Sequence, residues 1–96
     1  MSPDKFKILE KLRKKLDKID NSLLKIIKKR SEIVKKVLQL KSYKNEIVDK
    51  KRIDIILKNI RKKSIASKID PKVTNKIWIN MIRAYIDFEK RNFKKK

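Results

Sequence analysis

Apolar residues recur in alternating steps of three and four from Leu9 to Leu40, through Leu12, Leu16, Ile19, Leu23, Ile26, Ile33 and Val37. Such a row is the a/d seam of one long amphipathic helix, and past Pro3 no glycine or proline interrupts it. Ser2-Pro3-Asp4 supplies a start: Ser2 as N-cap, Pro3 at the first helical position and an acid in the first turn. A helix over 3–42 is roughly 60 Å long, whereas a compact domain of this size has a radius of gyration near ~13 Å. The rest of the chain is too short to cover that seam. A second copy, wound against the first as an intertwined homodimer, is the simplest cover.

One seam position is not apolar. Arg30 stands between Ile26 and Ile33, and a guanidinium in a packed seam is costly unless an anion meets it. That anion is either a carboxylate of the same protein or a ligand. A second row, Leu24, Ile27, Val34 and Leu38, ends in Lys41. Counted as helix, Arg30 and Lys41 lie about 20° apart in rotation and about 16 Å apart along the axis. Arg13 is about 100° away from Arg30 by the same count, so it is better placed to serve a pocket of a neighbouring copy.

The chain has no cysteine, histidine or glycine. Disulfides, histidine acid–base chemistry, the usual zinc sites and glycine-rich phosphate cradles are therefore closed to it, and no metal or cofactor is expected. No apolar run reaches the length of a membrane span, and the N-terminal segment lacks the apolar core of a signal peptide, so a cytoplasmic location is expected. The formal charge of +20 points to polyanions. Most of the cations are lysines, however, and lysines such as Lys14, Lys15, Lys28 and Lys29 lie off the apolar rows as a solvated face. Only six of the 31 cations are arginine, the side chain whose planar donor fork suits carboxylates.

Beyond the seam, Asp49 is the expected N-cap of a second helix over about 50–63, with Ile53, Ile56, Leu57 and Ile60 at helical spacing and Arg52 at the stripe's edge. Ser64 to Ile69 reads as a connector. Asp70-Pro71 then opens a third helix over about 71–91, with an apolar face of Thr74, Ile77, Trp78, Met81, Ile82, Tyr85 and Phe88. Glu89 falls on that face, one turn after Tyr85. The expected fold class is all-α, one domain over residues 1–96.

The segments Leu12-Arg13-Lys14-Lys15-Leu16-Asp17-Lys18-Ile19-Asp20 and Leu23 to Arg30, then Lys41, Asp49 to Arg52 and Asp70-Pro71, resemble the all-helical chorismate mutase family. The resemblance runs from about Leu9 to Phe88. It implies a homodimer of three-helix chains whose long first helices cross, with active sites built from both subunits. Arg13 would reach the partner's site, while Arg30, Lys41 and Arg52 line the chain's own, with Asp49 and Tyr85 among the substrate-binding positions. The implied substrate, chorismate, carries two carboxylates. The implied reaction, in the shikimate pathway of aromatic amino-acid biosynthesis, is its unimolecular rearrangement to prephenate. It needs no nucleophile, base, metal or cofactor: a site must hold a compact conformer and stabilise charge growing on the breaking ether oxygen. Arg13 and Arg30 would clamp the carboxylates and Lys41 would donate to the ether oxygen. Glu89 stands where the family usually has glutamine and must carry its proton to donate there.

Some positions depart from the mutases. Ile53 replaces a glutamate usual after the arginine that opens the second helix, Tyr85 replaces a common serine, and the Lys41-to-Arg52 connector is shorter. These features look more like isochorismate pyruvate-lyase, which gives salicylate and pyruvate on the same fold. A reading of another class is a non-catalytic basic helical dimer that binds nucleic acid. A nucleic acid is not the partner expected for Arg30, because cations that bind phosphate belong on exposed faces.

Overall fold

The computed structural model describes residues 2–95, in which three α-helices follow one another: α1 (Pro3–Gln39), α2 (Lys50–Ala66) and α3 (Pro71–Asn92). A short 3-10 turn, Lys44–Glu46, lies between α1 and α2, and the described residues contain no strand. Met1 and Lys96, which the expected domain included, lie outside the described residues. Two compact units divide the chain, one up to Val34 and one from Lys35 onward, so the last five residues of α1 belong to the second.

The first unit is helix alone. Ser2 caps it as expected: its Oγ accepts from the Lys5 N–H at 3.3 Å, and its carbonyl accepts from Phe6 at 2.9 Å. The seam residues are on the surface, with Leu12, Leu23 and Ile26 at 51%, 49% and 60% exposure. An amphipathic helix draws most of its stability from packing its apolar face, and the first unit supplies nothing to pack on.

The second unit is organised by α2 packing on α3. The turn between them is a Schellman motif: Ile69 N–H bonds to Ser64 O at 2.8 Å and Lys68 N–H to Ile65 O at 3.1 Å. That motif requires a left-handed residue, and Lys68 adopts it at φ 58° because the chain has no glycine to offer. The expected connector over Ser64–Ile69 is thus corrected, since α2 continues through Ala66. Ser64 holds the helix there from inside. Its hydroxyl donates to Ile60 O at 2.6 Å, leaving the oxygen to accept from Thr74 Oγ1 at 2.7 Å across the α2–α3 contact. Both residues are buried. Asp70 caps α3 through the Lys72 N–H at 2.9 Å, with Pro71 in the first turn. Trp78, Met81, Ile82, Tyr85 and Phe88 are half-buried on α3, but Ile77, expected on the same face, is 53% exposed.

The end of α1 also differs from expectation. The helix stops at Gln39, not near residue 42. Its last carbonyls are taken by tighter i→i+3 bonds, from Leu40 N–H to Val37 O and from Lys41 N–H to Leu38 O, both at 3.1 Å. Lys41 therefore lies past the helix, and the angular count that put it on one helical face with Arg30 does not apply to it.

Candidate active site

Lys41 is delivered by that tight turn and anchored from both sides by apolar burial, Leu38 before it at 8% exposure and Ile47 after it at 4%. The connector between Lys41 and α2 is fixed by its own bonds. Tyr43 N–H donates to Glu46 Oε1 at 3.0 Å, and Ile47 N–H closes the 3-10 turn on Lys44 O at 3.2 Å. Glu89 approaches from α3 and is buried, at 7% exposure. Lys41 Nζ donates to Glu89 Oε1 at 3.2 Å, with the two side chains 18% and 9% exposed.

Lysine and glutamate are rarely buried unless paired, and a buried pair contributes little net stability because both charges lose their water. A pair held this way positions a cation and a carboxyl group in a place of reduced dielectric. There, a donor aimed at a developing negative charge is worth far more than it is in water. An anion entering beside Lys41 meets an ammonium with further donor capacity, since Glu89 accepts only one of its three N–H bonds.

The second unit thus brings together two of the residues singled out from sequence. The others are placed as follows. Asp49 is committed to structure: its Oδ1 accepts from the Arg52 N–H at 3.0 Å as the cap of α2. Arg52 is exposed in the first turn of α2, and Ile53, next to it, is half-buried. Tyr85 is half-buried one turn before Glu89. An open recess lies against Lys41, lined by Glu46, Val48, Asp49, Lys50 and Lys51 as well. Of these, Glu46, Val48, Lys50 and Lys51 were not singled out from sequence. Glu46 and Val48 lie in a connector that has no periodicity to read, and Lys50 and Lys51 open α2, their only signal being adjacency to Asp49.

In the first unit, Arg30 is partly buried although Ile26 and Ile33, its seam neighbours, are 60% and 61% exposed. Arg13 is exposed, and its guanidinium donates to Glu10 Oε1 at 3.2 Å, one turn away on the same helix. Both arginines sit on α1.

The family described as chorismate mutase type II matches the chain over residues 12–90, a span that includes Arg13, Arg30, Lys41, Arg52, Tyr85 and Glu89. No curated protein and no solved structure matches it significantly. A match over most of the sequence, on an all-helical chain whose buried cation–carboxyl pair suits a reaction without a nucleophile, identifies the chain as a member of the type II chorismate mutase family, an isomerase that converts chorismate to prephenate.

Proposed function

We propose that the rearrangement is carried by the cations of a homodimer, with Lys41 as the donor to the ether oxygen whose bond to carbon breaks. As the C–O bond lengthens and the new C–C bond forms, electron density gathers on that oxygen, and a buried ammonium stabilises it without accepting or losing a proton. Glu89 is the second polar group at the same oxygen and holds the Lys41 ammonium beside it. Arg30 and Arg52 take substrate carboxylates from within the chain, and Arg13 takes one in the partner's site. Arginine suits this role because its bidentate fork fixes orientation as well as charge. Asp49 serves by starting α2 where Arg52 is needed, and Tyr85 contributes to the substrate-binding wall.

The observation that carries this reading is the buried Lys41–Glu89 contact at 3.2 Å, inside the span matched by the family. The homodimer rests on the exposed seam of α1, an apolar row too long for a stable helix to leave in water. The reaction belongs to aromatic amino-acid biosynthesis in the cytoplasm. Among the described residues no helix is long and apolar enough to cross a membrane.

Purified protein incubated separately with chorismate and isochorismate tests the reading. Prephenate from chorismate, with no release of pyruvate, is the expected result. Salicylate and pyruvate from isochorismate, with chorismate left intact, would replace the mutase reading with a lyase.

A further inference from the structure

The side of α1 away from the seam carries a regularity that catalysis does not use. At 100° per residue, the positions from 7 to 29 that fall within one ~60° sector are Lys7, Lys11, Lys14, Lys18, Lys25 and Lys29. Every position of that sector over this stretch is a lysine, and all six are exposed. The acids of the same stretch, Glu10, Asp17 and Asp20, lie at least ~40° outside it by the same count. A solvated face that served only solubility would mix the two signs, since opposite charges a turn apart stabilise a helix. Here they are segregated over about 33 Å, in two runs of lysine on either side of a gap between Lys18 and Lys25, and the row ends at Glu32, the next position of the sector.

We infer that this lysine row is a docking surface for the phosphate backbone of double-stranded nucleic acid. The row presents a repeating cation to a repeating anion, and duplex DNA carries about one charge per 1.7 Å of axis. A small dianion spans at most two of these lysines. A membrane surface fits poorly: the row lies roughly opposite the apolar face, so its lysines point away from any bilayer that face entered. A single strand fits poorly too, because the sector holds no aromatic side chain on which bases stack. With no arginine in the sector to read base edges, binding is independent of sequence. A partner chain on the apolar face leaves the row outward. The inference stands apart from the mutase reading and does not depend on it.

The test uses the full chain and a fluorescent duplex of about 24 base pairs, titrated by anisotropy between about 50 and 200 mM salt. Binding should be independent of sequence and fall steeply with salt. In the triple variant Lys11→Gln, Lys18→Gln, Lys25→Gln, affinity at low salt should fall at least ~10-fold and the log–log salt slope should become shallower by about 2.7, near 0.9 for each of the three lysines. A control triple with the same charge loss on exposed positions of α2 and α3, Lys58→Gln, Lys62→Gln, Lys90→Gln, should lose less than ~3-fold. Chorismate turnover and helicity should be unchanged in both. Should the first triple lose helicity, Lys11→Arg, Lys18→Arg, Lys25→Arg keeps the charge and must keep the affinity. Equal losses in the two glutamine triples would mean that overall charge, not the row, binds. Absence of binding at 50 mM salt, or tighter binding to a single strand or to phosphatidylserine vesicles, would equally overturn the inference.

Discussion

Lys41 is paired with Glu89, and the proposed chemistry depends on the Lys41 charge. Replacing Lys41 by alanine should lower kcat by about 10²- to 10³-fold, the loss typical of one donor to a developing oxyanion. Initial rates at saturating chorismate measure it, and a loss confined to KM would assign Lys41 to binding alone. Glu89 accepts from Lys41, and in the proposed site it holds the ammonium beside the substrate. Turnover should therefore fall in Glu89→Ala, which leaves Lys41 without that acceptor. Glu89→Gln, which keeps an acceptor for Lys41 and adds a donor, should retain most of the turnover. Unchanged turnover in the alanine variant would remove Glu89 from the chemistry. Both residues were legible from sequence as charged ends of apolar stripes. What sequence did not carry was Lys41's true setting, because its stripe continues smoothly past the point where α1 stops.

Helix starts and helix ends were unequally legible, and the reason is chemical. Asp49 and Asp70 announce α2 and α3 because a short carboxylate side chain is what the free N–H groups of a first turn require, and each makes that bond. The ends carry no such mark. A helix end is usually signalled by glycine, and a chain without glycine must place another residue in the left-handed region. Lys68 does so and looks like any other lysine in a lysine-rich sequence. Ser64 was misread for a related reason: a serine reads as a helix breaker unless one knows that its hydroxyl is turned inward to Ile60 O and Thr74. Lys68→Gly should relieve the left-handed strain and stabilise the protein by roughly 0.5–1 kcal/mol, read as a higher midpoint in thermal or denaturant unfolding. An unchanged or lower midpoint would mean that Lys68 is not held in that conformation in solution.

At the scale of the molecule, the pattern of the sequence spoke first and most clearly. A seam of the length of α1 was readable without any structure, and its residues are on the surface of the single chain. The covering partner was readable only as an implication, because a seam states that it must be buried and not by what. Light scattering at micromolar concentration should give a dimer, with unfolding that shifts to higher temperature as protein concentration rises. A folded, concentration-independent monomer would exclude the intertwined arrangement.

In the proposed dimer each active site takes Arg13 from one chain and the remaining cations from the other. Arg13→Ala and Arg30→Ala should each be nearly inactive as separate proteins. After subunit exchange in an equal mixture, half of the dimers pair one variant with the other, and each of these holds one site with both lesions and one with neither. Chorismate turnover should then recover to about a quarter of the wild-type value. No recovery, with exchange verified by differently tagged subunits, would contradict the account and confine Arg13 to its own chain.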